Sequence, residues 1–391
     1  MRFLKDLSIE GRRVLVRADL NVPLDEKLEI TDDNRIVQFL PTLKAIMERG
    51  GRPIVMSHFE DPEKRDPKFS LKPCAERIAK LTGFDVRLAN DCVGAEIEQA
   101  SKSLEPGQVL VLENLRFNPG EKQNDPAFCE QLAKLGDVFV NDAFATAHRK
   151  HASMVGVPKL FKEKGAGLLM QREMEFYNKA LIAPKRPLCV VLGGSKISTK
   201  FNVLVNLAQK ADKLILGGAM ANTFLAAQGM QVGRSLFEQE YFPKAIELLG
   251  QLARRDCKVY LPVDLVVAPS PSAKGLARTV PAQEIPADQM ALDIGPATSL
   301  LYKAALQSAE TIIWNGPMGV FEQEDFSKGT TDMIESIAGS HGMKVVGGGD
   351  TDAAIHKMEL NHKFDFISTG GGAFLVLLEG KGLPGFNALE S

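Results

Sequence analysis

Short runs of consecutive apolar residues, separated by helix-length stretches of mixed polarity, set the rhythm of this chain. In the first half they fall at 14–16, 53–56, 86–88, 109–112 and 138–140. In the second half they fall at 188–192, 213–216, 259–261 with 263–267, 311–314, 344–346 and 364–367. A strand buried on both faces reads as an unbroken apolar run rather than an alternation. Strands alternating with helices form parallel sheets with helices packed on both faces. The chain has 391 residues, more than a single core comfortably serves. The pattern therefore predicts an α/β protein of two doubly wound, Rossmann-like parallel-sheet domains. Residues 168–181 (LLMQREMEFYNKAL) hold no glycine or proline and read as one helix, which Pro184 and Pro187 then end. This segment is either a hinge helix or a plain connector. It puts the expected domains at 1–170 and 171–379.

Ligands of parallel sheets collect beyond the carboxyl ends of the strands, and there the two halves differ. First-half strands are followed by polar and charged residues: Arg17-Ala18-Asp19-Leu20-Asn21, Ser57-His58, Glu113-Asn114-Leu115-Arg116, and Asn141-Asp142 leading to His148-Arg149. Second-half strands are followed by glycines: Gly193-Gly194, Gly217-Gly218, Gly316 with Gly319, Gly347-Gly348-Gly349 and Gly370-Gly371-Gly372. One half offers fixed side-chain charge and the other offers open backbone, as two sheets holding two kinds of ligand would.

Composition removes several function classes. Lys+Arg total 47 against 49 Asp+Glu, a net charge of −2, which argues against general nucleic-acid or membrane-surface binding. No apolar run is long enough to span a bilayer, and the N-terminus lacks a signal-peptide core. The five cysteines (74, 92, 129, 189 and 257) are scattered, with no C-x-x-C pair. That spacing indicates neither zinc nor a redox motif and predicts a reduced, cytoplasmic protein.

Several residues can carry chemistry. Val345-Val346 followed by three glycines, Asp350 and Thr351 reads as strand, turn and helix start, a geometry that aims backbone N–H groups at a phosphate. Asp350 or Thr351 can cap that helix, or Asp350 can face a metal held by the phosphates; a plain capped turn is the alternative. Lys196 and Lys200 are four apart, so on a helix they share a face and suit a polyphosphate. No Walker A loop, protein-kinase signature or G-x-G-x-x-G occurs, which counts against a dinucleotide-dependent dehydrogenase. Glu322 suits ribose hydroxyls or is a solvated loop carboxylate. Asp19 and Asn21 suit a small polar ligand or form an Asx turn. Arg35 reads as lying at a helix start, where pairing with neighbouring carboxylates competes with ligand binding. Arg116 and Arg149, each after a strand, fit an anion site better than scattered salt bridges do. His58 is a lone histidine, by default a structural hydrogen-bonder. No nucleophile–base arrangement and no metal-ligand spacing of histidines is present.

Taken together, these residues resemble phosphoglycerate kinase. The matching motifs are RADLNVP (17–23), DDNRI (32–36), LENLRF (112–117), NDAFATAHRKHAS (141–153), GGSKISTK (193–200), WNGPMGVFE (314–322), GGGDT (347–351) and STGGGA (368–373). The resemblance implies a monomeric, hinge-bending enzyme that interconverts 1,3-bisphosphoglycerate plus ADP with 3-phosphoglycerate plus ATP. It implies 3-phosphoglycerate on Asp19, Leu20, Asn21, Arg35, His58, Arg116 and Arg149. It implies nucleotide on Lys200, Glu322, Gly348, Gly349, Asp350 and Thr351, with Mg²⁺ near Asp350. Arg35 and Lys196 match the positions that neutralise the migrating phosphoryl group, and residues 380–391 would return to the first domain. The chain departs from the family's usual Ser-His-Leu-Gly-Arg-Pro, reading Ser57-His58-Phe59-Glu60-Asp61-Pro62. Two acids then stand near an anion site. Either the loop points away, or a cation such as Arg65 compensates, or triose affinity is weakened; a non-catalytic scaffold is the extreme form of the last. Ala145 and Val376 replace a usual glycine and glutamate.

Overall fold

The computed structural model describes residues 1–390. It divides the chain into two compact units, Met1–Glu175 with the segment from Gly382 onward, and Phe176–Lys381.

The first unit holds a six-stranded parallel sheet. Its strands are β1 (Arg13–Arg17), β2 (Arg52–Met56), β3 (Asp85–Leu88), β4 (Gln108–Val111), β5 (Val138–Asn141) and β6 (Lys164–Ala166), in the order β3-β4-β2-β1-β5-β6. Val14, Val16, Val55, Val109, Val138 and Val140 are almost fully excluded from solvent, as strands covered on both faces require. β6 reads Lys-Gly-Ala and carries no apolar run; it is a strand only because it pairs with β5, Phe139 against Lys164. The helix Asn34–Glu48 packs Ile36, Phe39 and Leu43 into this core. At the chain end, Gly385 N–H donates to the Ala147 carbonyl at 2.8 Å, and Phe386 meets Phe144 edge-on at 6.1 Å. Asp142, just after β5, is fully buried. Burial pushes its carboxyl up to about 7, against the opposing hydrogen bonds of Thr42, Met170 and Leu169.

The second unit holds a second six-stranded parallel sheet and a smaller antiparallel one. The strands are β7 (Leu188–Leu192), β8 (Lys213–Leu216), β9 (Lys258–Tyr260), β10 (Asp264–Ala268), β11 (Arg278–Pro281), β12 (Met290–Ile294), β13 (Thr311–Asn315), β14 (Met343–Gly347) and β15 (Phe366–Ile367). The parallel order is β15-β14-β13-β7-β8-β9, and the antiparallel order is β11-β10-β12. The run at 263–267 was expected in the parallel sheet. It instead centres the antiparallel one, pairing with β11 and β12. Its apolar residues face a satellite core of Leu225, Val232, Ala282 and Ile285 rather than two helical layers.

The segment read as one helix over 168–181 is α-helical over Leu168–Tyr177 and widens to a π-type turn over Asn178–Ile182. All five cysteines are buried and unpaired. Among the described residues no helix is long and apolar enough to cross a membrane.

Candidate active site

In the first unit, polar side chains gather beyond the ends of β1, β2, β4 and β5. Asp19 is buried at 6% exposure and accepts from Arg35 Nη1 at 2.8 Å. Burial alone would raise its pKa; the positive charges of Arg35 and Arg17 and the Asn21 N–H hold it below the usual carboxylate value. Asn21 Oδ1 accepts the Glu60 N–H at 2.8 Å. Leu20 contributes only backbone: its side chain is in the core and its N–H donates to Ser57 Oγ.

His58 is buried and lies 3.2 Å from Arg17 Nη2 through Nδ1. An arginine only donates, so Nδ1 accepts and the ring proton sits on Nε2. Burial and then Arg17 depress the His58 pKa to about 3. The imidazole is therefore neutral and presents a donor. Arg17 is itself buried. Its Nε donates to Ser153 Oγ at 2.9 Å, and Ser153 Oγ donates to buried Glu121 Oε1 at 2.6 Å. Sequence reading missed this network; nothing in the local pattern around Glu121 marks it as buried.

Arg116 donates through Nη1 to the Glu60 carbonyl at 3.1 Å and pairs with Asp61 Oδ1 at 3.0 Å. Arg149 is exposed, and no ion pair holds it among the described residues. The cations share one neighbourhood: burial first, then Arg116, Arg149, Arg17 and Lys122, depress the His151 pKa to about 4. The altered loop does not point away. Asp61 is neutralised by Lys122, whose Nζ reaches both carboxylate oxygens at 2.9 and 3.0 Å, and by Arg116. Arg65, offered as one possible compensating cation, pairs with Asp91 at 2.7 Å instead.

In the second unit the glycine turns line a cavity of about 280 Å³ bounded by Gly194, Gly218, Pro317, Gly319, Glu322 and Asp350. Its far wall includes Leu236, Leu265 and Met290, apolar side chains suited to a flat ring. The helix Gly349–Lys357 begins at Gly348, with φ +101° and no side-chain cap. A positive φ favours glycine, and the first-turn N–H groups of an uncapped helix have no intrahelical partner, which suits them to an anion. Neither Asp350 nor Thr351 caps this helix, which removes one of the alternatives that the sequence left open. Thr351 is buried and its Oγ1 accepts the Gly316 N–H at 2.8 Å, bracing two turns together. At Gly316 an added Cβ would lie 2.5 Å from Lys200 Nζ, so the turn and the lysine pack without room for a side chain.

Lys200 Nζ donates to the Gly193 carbonyl at 3.0 Å. Burial lowers its pKa to about 8, with Asp350 opposing. Lys196 is exposed and lies in an irregular loop; the helix starts only at Phe201. The two lysines therefore do not share a helix face. Gly193-Gly194 carry the chain out of β7 in an irregular turn before helix can form. Asp293, which the sequence did not single out, lines the cavity and accepts from the Gly329 N–H at 2.7 Å. Burial raises its carboxyl to about 7.

Among the described residues no group of three or more His, Cys, Asp or Glu could hold a metal. Mg²⁺ does not require such a cage, since it is commonly held by one or two carboxylates plus substrate phosphates. Asp350, in the first turn of the uncapped helix and on the cavity wall, fits that arrangement.

A family model described as phosphoglycerate kinase matches residues 4–381. A phosphoglycerate kinase of Desulfotalea psychrophila is 49% identical over 392 residues, covering 100% of each chain. One from Aquifex aeolicus is 48% identical over 381 residues, covering 97% of this chain and 96% of its own. The solved phosphoglycerate kinase from Coxiella burnetii superposes with a TM-score of 0.91 at 41% identity, over 100% of this chain and 98% of its own.

Proposed function

Because the chain belongs to the phosphoglycerate kinase family, we propose that the cationic end of its first sheet holds the triose and the glycine-lined end of its second holds the nucleotide. The reaction is the reversible transfer of a phosphoryl group between ATP and the carboxylate of 3-phosphoglycerate, a step of glycolysis.

One observation carries the assignment: guanidinium groups gather beyond the first sheet, and the acids among them are engaged by cations, Asp19 by Arg35 and Asp61 by Arg116 and Lys122, so no free base stands in the cluster. His58 and His151 are depressed to about 3 and about 4 by burial and neighbouring arginines. Both are neutral at working pH, yet far too weakly basic to take a proton there. Transfer to a hydroxyl calls for a base, as the aspartate of protein kinases shows. Transfer to a carboxylate does not, because that group is ionised well below neutral pH.

In this reading Arg35, Arg116, Arg149 and neutral His58 bind the triose anions, with Asp19 fixing Arg35 and Asn21 fixing the loop at Glu60. Phosphoryl transfer is mostly positioning and charge stabilisation. Arg35 and exposed Lys196 supply the charge around the migrating group. Lys200 and the first-turn N–H groups of Gly349, Asp350 and Thr351 hold nucleotide phosphates, and Glu322 takes the ribose. Mg²⁺ on Asp350, when bound, neutralises phosphate charge. Each ligand set lies within a single chain, so we expect a working monomer. Five buried, unpaired cysteines suit a reducing cytoplasm.

Each unit carries one substrate, so the two must meet for transfer. Small-angle scattering with both ligands should show a smaller radius of gyration than without; an unchanged value counts against closure. The function itself is tested by ATP- and Mg²⁺-dependent consumption of 3-phosphoglycerate in a coupled assay. Turnover is expected, and its absence in folded protein would overturn the reading.

A further inference from the structure

The loop 60–62 puts a carboxylate directly on one of the arginines assigned to the triose. Asp61 Oδ1 lies 3.0 Å from Arg116 Nη1. The two partners differ in exposure: the Arg116 side chain is 9% exposed and Asp61 57%. The arginine is thus a largely buried wall of the site, while the acid meets it from the solvent side. Arg116 also keeps unspent capacity, since its Nε is buried with no hydrogen-bond partner among the described residues. A guanidinium that is nine-tenths buried with a donor unfilled carries a charge that its present partners satisfy only in part.

Lys122 gives the acid somewhere else to go. Its Nζ spans both oxygens of Asp61 at 2.9 and 3.0 Å, whereas Arg116 contacts one of them. When an incoming anion takes Arg116, Asp61 stays paired with Lys122 and no charge is stranded. The backbone holds the loop in place for this. Glu60 sits at φ +51°, a left-handed conformation uncommon for a non-glycine residue. Its N–H is bound by Asn21 Oδ1 and its carbonyl by Arg116. The loop is therefore anchored to the anion site through both peptides that flank Glu60.

We propose that Asp61, tethered by Lys122, is a specificity-determining residue that competes with the substrate for Arg116 and so selects for anions of higher charge. A dianionic phosphate displaces the resident carboxylate, because its Coulomb attraction to the guanidinium is about double that of a single charge. A simple carboxylate or chloride meets an equal competitor already in place. The inference rests on the assignment of Arg116 to the triose. It deepens that assignment by naming what controls access to it.

The test is calorimetric titration of 3-phosphoglycerate into nucleotide-free protein at pH 8, for wild type, Asp61→Asn, Lys122→Ala and the double variant. Inorganic phosphate and acetate are titrated as competitors. Removing a partly exposed competing ion pair should tighten triose binding about fivefold in Asp61→Asn, and acetate should gain more than phosphate. Lys122→Ala should weaken binding about two- to threefold in the wild-type background, since Asp61 then settles on Arg116, and should do nothing beside Asp61→Asn. Unchanged or weaker binding in Asp61→Asn overturns the proposal. So does a loss from Lys122→Ala that persists in the double variant, which would make Lys122 a direct triose ligand. Absence of binding by the wild type would instead sink the functional reading, so the two failures are distinguishable. Both side chains are more than half exposed, and matching thermal melts of all four proteins confirm an intact fold.

Discussion

Lys200 should take up a proton when nucleotide binds. Burial depresses its pKa to about 8, and Asp350 offsets only part of that. The sign follows directly. The folded pKa lies below the unfolded value of 10.5, so the group favours folding above the unfolded pKa, and that contribution is lost as pH falls through 8. At pH 7 the lysine is charged, at a cost of up to about 3 kcal/mol relative to a solvated one; residual solvent contact reduces the figure. Polyphosphate repays this by stabilising the ammonium and raising its pKa again. The empty site is then about one-tenth neutral at pH 7, half neutral at pH 8 and nine-tenths neutral at pH 9. Calorimetry of Mg-ADP binding in two buffers of different ionisation enthalpy should report those fractions as protons absorbed. Affinity should weaken about tenfold from pH 7 to pH 9. Lys200→Met should abolish the uptake. A wild-type protein that absorbs no proton at pH 8 and binds with pH-independent affinity would refute the placement of Lys200 against the phosphates.

Arg35→Ala or Lys196→Ala should each lower kcat by about 10²- to 10³-fold with an unchanged thermal melt; wild-type kcat in either removes its role at the migrating phosphoryl group. The His58 ring should keep its proton on Nε2 and show no titration between pH 5 and 8 in nitrogen-15 spectra, since burial and Arg17 depress its pKa to about 3. A midpoint near 6.5 would contradict the buried pairing. Asp142 has the opposite linkage: its folded pKa of about 7 is raised, so its favourable contribution is complete below the unfolded pKa and lost as pH rises through 7. Asp142→Asn should therefore match wild type in urea unfolding at low pH and exceed it at pH 8.5, by on the order of 4 kcal/mol. A constant difference across that range would mean that the carboxyl is not buried as described.

The parallel sheets were legible because their central strands are covered on both faces. Leu188-Cys189-Val190-Val191-Leu192 has no other economical conformation between two helical layers. The antiparallel sheet was not. β10 has the same unbroken apolar character, while β11, Arg-Thr-Val-Pro, is largely exposed and β12 carries Asp293. Only tertiary pairing distinguishes them. β6 was invisible for the same reason, being held by register rather than composition. At the site, position after a strand marked the arginines and glycine turns. Which charge meets which was beyond reach. Asp61 looked like a defect to be compensated by its sequence neighbour Arg65, whereas the structure brings Lys122 to it from 61 residues away. Likewise the i, i+4 spacing of Lys196 and Lys200 suggested a shared helix face. Gly193 and Gly194 do not continue β7 into helix, and the chain spends the intervening residues in turns.

A carboxylate receives the phosphoryl group, so the cationic cluster needs no base to activate the acceptor. The most direct measurement is the chemical lability of the product formed from γ-labelled ATP and 3-phosphoglycerate. Label should transfer to the triose as an acyl phosphate and be released by neutral hydroxylamine as inorganic phosphate, leaving the triose as its unlabelled hydroxamate. Label resistant to hydroxylamine would place the new bond on a hydroxyl oxygen and contradict the account.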